Sequence, residues 1–469
     1  MARTYIADVP EMVDQTIELK GWVASRRDHG KLIFIDMRDR TGVLQVVFLG
    51  KNAELFDAAS VLRDEFVISV KGLVKSRGEK QVNTDIPTGS VELVAESLEI
   101  LNTAETPIFE IEKAAGTSEE LRMKYRYLDM RSKRMQTNIQ KRHQIIKLIR
   151  DHLDEQKFYE IETPYLTKGT PEGAREFIVP ARLSPGKFFV LPQSPQQFKQ
   201  LLMVGGLESY FQIARCFRDE DTRGDRQAEF TQLDLEMSFV DREEVMELNE
   251  KLLINIVEKL YPEKRIQQVP FPRISYADAM EKYGSDRPDL RENKDDPNLL
   301  AFCWIVDFPM FEKTDKKEHH GATGEWTFTH NPFSAPIPDH IEWLRSKENI
   351  DQILATQYDI VLNGYEIGGG SIRSHRADDL MKVLEIIGHS SENIQRDFGH
   401  ILKALSFGAP PHGGIAWGLD RLVMILQNEP SIRDVMAFPK TGDNRDLLMD
   451  APNDVSKKQL DDLDIAIKS

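Results

Sequence analysis

Arg215-Cys-Phe-Arg-Asp-Glu-Asp-Thr-Arg-Gly-Asp-Arg-Gln-Ala-Glu-Phe-Thr-Gln-Leu-Asp-Leu-Glu-Met237 says most about the chain. Four of its arginines and five of its carboxylates fall between two apolar, strand-like runs, 210–214 and 230–239. Such charge between alternating runs predicts an antiparallel hairpin that presents a polar site. Arg218 and Glu220, two residues apart, share one face of an extended chain. Far downstream, Gly413-Gly-Ile-Ala-Trp-Gly-Leu-Asp-Arg421 closes a glycine-rich turn on an arginine and enters an apolar helix at 422–426.

Working outward, 469 residues predict two or three domains, and 40% hydrophobic with 29% charged residues is ordinary soluble composition. No apolar run approaches the roughly 20 residues that span a bilayer, and the N-terminus lacks a signal-peptide core. Two cysteines, Cys216 and Cys303, make neither a disulfide framework nor a zinc pattern, so a cytoplasmic protein is expected. The net charge of −16 describes the long-range field and leaves a nucleic-acid partner open. Arg26, Arg27, Lys31, Arg38 and Arg40 form a local basic cluster.

The class expected is α+β. Strand patterns at 16–24, 31–37, 42–48, 66–74 and 90–98, with a helix at 52–62, predict a five-stranded barrel of the OB type over residues 1–101. A Thr/Pro/Glu/Gly-rich connector at 102–118 separates it from a second domain, 119–469. There, apolar residues at helical spacing predict a helix over 141–158 running into an extended Tyr159-Glu-Ile-Glu-Thr-Pro164. Strands are expected at 187–191, 359–362 and 414–417, making with the hairpin an antiparallel sheet flanked by helices.

Taken singly, Phe230 reads as core, Asp359 as a turn or cap residue, and Gly368-Gly-Gly-Ser371 as a flexible turn. Their joint order with Gln193-Ser-Pro-Gln-Gln-Phe-Lys-Gln200, Ser285-Asp-Arg-Pro-Asp-Leu-Arg291, Tyr365-Glu-Ile-Gly-Gly-Gly-Ser-Ile-Arg373 and Ala437-Phe-Pro-Lys-Thr441 resembles the bacterial-type aspartyl-tRNA synthetases, of class II. The likeness covers essentially the whole chain. It implies an OB-fold anticodon-binding domain joined to a class II catalytic domain. It also implies a ligase that activates L-aspartate with ATP and transfers it to the 3′ end of tRNA(Asp).

In that family the reaction is carried by positioning and charge stabilisation, because the substrate carboxylate is the nucleophile. The resemblance makes Arg218, Glu220 and Arg421 catalytic. Phe230 would lie under the adenine and Arg421 over it. Asp219, Gln227, Glu366, Gly418, Leu419 and Asp420 would complete the ATP site. Asp359 and Glu366 would hold Mg²⁺. Lys199 and Arg373 would bind the aspartate side chain, with a bidentate guanidinium fork on its carboxylate. Asp234 and Gln196 would hold the ammonium, and Ser194, Gln232, Ser371 and His330 would line the pocket. Glu172 sits in a segment resembling a loop that closes on bound aspartate. In the barrel, Phe34 would stack on an anticodon base while Arg27, Gln45 and Glu92 read base edges. The strand pattern alone leaves Phe34 equally a core residue. The helix–strand–proline segment resembles the family's dimer-forming motif, which implies a homodimer.

Three departures stand out. The sizeable domain that bacterial members insert between the hairpin and the glycine-rich strand is missing, with only 292–297 following Arg291. Thr329-His-Asn-Pro-Phe333 has Asn331 where many members carry a second histidine. The first barrel turn carries His29, which in this family points to charging of tRNA(Asn) as well as tRNA(Asp). A strictly discriminating enzyme and a non-catalytic RNA-binding paralogue are the alternatives; the presence of Arg218, Glu366 and Arg421 argues against the latter.

Overall fold

Alternation of apolar and polar residues builds the first unit. The computed structural model describes residues 3–169, 173–314 and 324–467, and its contacts divide the chain into Met1–Arg122 with Tyr127–Gln136, and Met123–Arg126 with Thr137–Ser469. In the first, β1 (Thr16–Asp28), β2 (Leu32–Asp39), β3 (Gly42–Leu49), β4 (Val67–Ser76) and β5 (Val91–Asn102) close a barrel in the order β1-β2-β3-β5-β4. Helix α1 (Ala53–Ser60) follows β3, its N-terminus capped by the Asn52 side chain on Leu55 N–H. Ile33, Ile35 and Met37 point into the barrel core with Leu44, Val46 and Leu93, which leaves Phe34 half-buried on the outer face.

The second unit is built on one sheet. Helix α2 (Lys133–Glu155) leads to β6 (Tyr159–Glu160), then α3 (Gln196–Val204) and the hairpin β7 (Ser209–Phe217) and β8 (Glu229–Ser238). Helix α4 (Arg242–Leu260) starts from a reciprocal capping box between Asp241 and Glu244. After it come β9 (Arg273–Ser275), β10 (Phe302–Val306), β11 (Gln357–Leu362) and β12 (Tyr365–Ile372). Helices α5 (Ala377–Ile386) and α6 (Ser391–Leu405), strand β13 (His412–Gly418) and helix α7 (Leu419–Leu426) complete it. The strand order is β9-β10-β11-β12-β13-β8-β7-β6. The sheet is antiparallel through its middle, but β6 runs parallel to β7 and β9 parallel to β10, so it is mixed. Residues of α2, α4 and α7 pack with those of the central strands in one large core.

Several sequence expectations shift here. The hairpin is longer on its first strand than 210–214, and the helix expected from 141 begins at Lys133. The strand expected at 187–191 is Phe188–Val190; it pairs with Ile178–Pro180 in a separate ribbon outside the main sheet. The glycine run 368–370, read as a possible flexible turn, is the middle of β12. An Asn363-Gly364 turn with φ of 51° and 86° joins β11 to β12, as two-residue hairpins require. The glycines that follow are there for space. A Cβ on Gly370 would stand 2.1 Å from Gly414 O and 2.8 Å from Ile415 Cα.

Candidate active site

Strand β8 supplies the floor of the site, because its period of two places Gln232, Asp234 and Glu236 on one face. Opposite them on β13 stand Gly418, Ala416 and Gly414, small enough to leave a cleft. A Cβ on Gly414 would come 2.2 Å from Glu236 Oε2, so the glycine is what lets that carboxylate lie flat beneath the sheet face.

Two cations and two carboxylates meet there. Lys199 Nζ, from α3, donates to Asp234 Oδ1 at 2.7 Å and lies 3.3 Å from Glu236 Oε2. Arg373 donates through Nε and Nη2 to the two Glu236 oxygens, at 3.0 and 3.2 Å, and through Nη1 to Ser371 Oγ at 2.8 Å. The fork expected to grip a substrate carboxylate is therefore spent on Glu236, with Nη2 also donating to Gly414 O at 3.2 Å. All four charged groups are buried. Burial pushes the Glu236 carboxyl up, but Arg373 and then Lys199 overcome it and hold it below the usual range. Asp234 goes the other way: burial raises it despite Lys199. Its Oδ2 is buried with no partner among the described residues, which at this cost marks a place for an incoming donor.

Around this quartet a cavity of about 270 Å³ is lined by Ser194, Gln196, Gln232, His330 and Asn331 among others. It runs into a second hollow of about 150 Å³ through the shared Arg218, Glu220 and Glu366. In the second hollow Arg218 lies over the Phe230 ring, 5.1 Å from its centroid. Arg421 stands there too, its Nη2 3.2 Å from Asp225 Oδ2 and its Nε buried without a partner among the described residues. A larger cavity of about 510 Å³, behind Gln193 and Ser194, contains none of the quartet.

The expected ATP residues divide. Gln227 lines the second hollow, but its Oε1 accepts from Lys440 N–H. Asp420 is taken by Arg142 at 2.6 Å and by Thr231 N–H at 2.8 Å, so it ties α7 to α2 and β8. The Leu419 side chain belongs to the core, leaving only backbone at Gly418 and Leu419 to face a ligand. Asp219 sits outside both hollows; its N–H donates to Arg175 O and its carbonyl accepts from Arg175 Nε, each at 3.0 Å. Asp359 is buried and both its oxygens are engaged, Oδ1 by Gln357 Nε2 at 2.7 Å and Oδ2 by His330 Nε2 at 3.1 Å. That pairing outweighs the burial of His330 and lifts its imidazole to about 9. Glu366 is open to the cleft, yet lost solvation and then Asp359 raise its carboxyl. Among the described residues no cluster of three metal-ligating side chains forms; Glu366 fits a hard cation, and Asp359 fits one only after releasing a partner. Glu172 lies outside the described residues.

Residues not anticipated also matter. Glu236 was signalled by its spacing from Asp234. Ser334, which donates to Ser371 Oγ at 2.8 Å, and Gln357 carry no local signal.

On the barrel, Arg27 is clamped by both oxygens of Asp36, at 2.6 and 2.8 Å, and reaches Gln45 at 3.4 Å. Gln45 Nε2 donates to Glu92 at 3.0 Å. His29, in a turn whose Gly30 has φ of 79°, packs edge-on against Phe34 with centroids 5.5 Å apart. Phe34, His29, Arg27, Gln45 and Glu92 thus share one outer face, and Asp36 is the member that sequence reading missed.

Residues 118–442 match the family model "tRNA synthetases class II (D, K and N)", and 17–101 match an OB-fold nucleic acid binding domain. The chain is 42% identical to an aspartate–tRNA(Asp/Asn) ligase of Rubrobacter xylanophilus over 580 aligned positions, covering 97% of this chain and 95% of that one. It is 40% identical to an aspartate–tRNA ligase of Geobacillus kaustophilus, covering 100% and 99%. At least 111 of the 580 positions face no residue in a chain of 469. Among solved structures, an asparaginyl-tRNA synthetase of Pyrococcus horikoshii, complexed with asparaginyl-adenylate, superposes with a TM-score of 0.75 at 25% identity, covering 94% of this chain and 98% of that one.

Proposed function

We propose, for a chain that belongs to the class II tRNA synthetases of the aspartate, lysine and asparagine group, that it is the aspartate ligase, charging tRNA(Asp) and tRNA(Asn) alike. The observation that carries the aspartate assignment is the buried quartet. Asp234 Oδ2 is an open acceptor for an ammonium, and Lys199 with Arg373 offers donors for a second carboxylate. Relatives named for aspartate, at 40% identity or more, support the same substrate.

Two steps follow. An oxygen of the aspartate α-carboxylate attacks the α-phosphorus of ATP; a P–O bond forms, the bond to pyrophosphate breaks, and aspartyl-adenylate results. Arg218 and Arg421 stabilise the charge that develops on the phosphate, and Phe230 gives the adenine a face to stack on. A terminal ribose hydroxyl of the tRNA then attacks the aspartyl carbonyl carbon, and AMP leaves. A bound Mg²⁺ would supply neutralisation of phosphate charge. Glu366 would hold it, joined by Asp359 once His330 or Gln357 gives way.

The barrel over 1–101 binds the anticodon, with 102–118 as connector and 119–469 as the catalytic domain. The two anticodons differ only at the third position, and His29 beside Phe34 stands where one contact decides. The product on tRNA(Asn) then requires an amidotransferase to become asparaginyl-tRNA. We assign a homodimer through α2 and β6, an edge strand with Tyr159 exposed. Two free cysteines fit the cytoplasm as the place of action.

The test is aspartate charging of purified tRNA(Asp) and tRNA(Asn), side by side, with ATP and Mg²⁺. Comparable charging of both is expected. Charging of tRNA(Asp) alone would leave a strictly discriminating aspartyl enzyme, and charging of neither would remove the assignment.

A further inference from the structure

Behind the amino-acid end of the cleft runs a chain of side-chain hydrogen bonds that the two steps above do not use. Pro410 O can only accept, so His412, whose Nδ1 lies 2.8 Å from it, carries its proton there. The other nitrogen, Nε2, is then an acceptor, and Gln200 Nε2 donates to it at 3.2 Å. This turns the Gln200 amide so that Oε1 faces Gln196, whose Nε2 donates to it at 3.2 Å. With its NH₂ so engaged, Gln196 keeps Oε1 for the cleft, which it lines together with Asp234. Gln200 and His412 are 0% exposed and Gln196 only 8%, so solvent does not compete for the links.

We propose that His412 is a positioning residue for amino-acid recognition: by accepting from Gln200 it sets the rotation of two glutamine amides, and so presents an oxygen to the substrate ammonium. An amide is otherwise free to present either end, and its NH₂ end repels an ammonium. The direction of the chain depends on a neutral imidazole. Lost solvation holds His412 below its ordinary value, against the pull of Glu236 on β8 and of Pro410 O, while Arg373 and His375, following β12, push the same way as burial. A proton on Nε2 would reverse every link and turn the Gln196 oxygen away from the cleft. The inference rests on Gln196 and Asp234 as the ammonium site.

The experiment is aspartate-dependent ATP–pyrophosphate exchange by the full chain, with KM determined separately for aspartate and ATP. His412→Phe keeps a ring and removes both nitrogens. The aspartate KM is expected to rise about 10-fold or more, the scale of a lost hydrogen bond to a charged group, with the ATP KM unmoved. Adding Gln196→Glu to His412→Phe is expected to restore the aspartate KM, since a carboxylate presents an oxygen in either rotation. Equal rises in both KM values, an unmoved aspartate KM, or a failed rescue would each overturn the proposal. Gln200→Leu breaks the same chain one link nearer the cleft, with the same expected split, and serves if His412→Phe does not fold. Gln196→Leu separates the two levels. If it leaves the aspartate KM unchanged, the ammonium reading itself fails; if it raises KM while His412→Phe and Gln200→Leu do not, only the role of His412 fails.

Discussion

His330 shows how one residue joins stability to the site. Its folded value of about 9 lies above the ordinary 6.5, because Asp359 stabilises the imidazolium more than burial opposes it. A group raised in this way contributes stability that is fully present below about pH 6.5 and is lost as pH rises through 9. His330→Gln is therefore expected to flatten the decline in unfolding free energy across that window. It should lose on the order of 1–3 kcal/mol at neutral pH, measured by urea denaturation at several pH values; an unchanged slope would mean that the pair is not formed. What could be read of the site from the sequence divides at this scale. Lys199, Asp234 and Arg373 were legible because each sits in a motif of its own. Asp36, Ser334 and the link from Gln200 to His412 were not, since each acquires its role only from a residue distant in sequence or on another strand; Gln357, two residues from Asp359 on β11, was missed although its partner is local.

Among elements, β12 departs furthest from what its composition suggests. Glycine is disfavoured in strands because it has no side chain to pack and loses the most freedom on ordering, and a run of three reads locally as a turn. The neighbouring strands explain it. Tyr358, Gly414 and Ile415 approach Gly370 so closely that a methyl group has no room. Gly370→Ala is expected to destabilise by roughly 2–4 kcal/mol and to displace Ser371 and Arg373. Thermal unfolding together with aspartate-dependent pyrophosphate exchange would check this. A stable, fully active variant would show that the strands can move apart freely. The barrel strands, by contrast, were legible to within a residue at their starts, although β1 and β5 each run four residues past the expected end, because an interior of Ile33, Ile35 and Met37 imposes a period of two that survives without tertiary information.

At the scale of the molecule, the proposed function divides recognition between the two units. Phe34→Ala removes a stacking face worth about 1–3 kcal/mol per base, so the KM for tRNA should rise roughly 5- to 150-fold, while pyrophosphate exchange without tRNA stays as it was. Loss of both activities together would show that the barrel face supports folding rather than RNA. The missing insert bears on the same division. The chain is aspartate-like by sequence relatedness, yet it leaves at least 111 of 580 positions unfilled against the Rubrobacter protein and matches the compact Pyrococcus structure over 98% of the latter's length. Ser194, Gln196, Gln232 and His330 line the cleft without that domain. One feature of the lining reaches beyond the reaction. Lys199, Arg373, Asp234 and Glu236 cancel one another before any ligand arrives. Within the quartet a simple organic anion finds no unclaimed positive charge, and a simple amine finds a single open carboxylate oxygen, Asp234 Oδ2. Occupancy of the quartet asks for both signs at once, so it behaves as a coincidence gate that ions of one sign alone do not open.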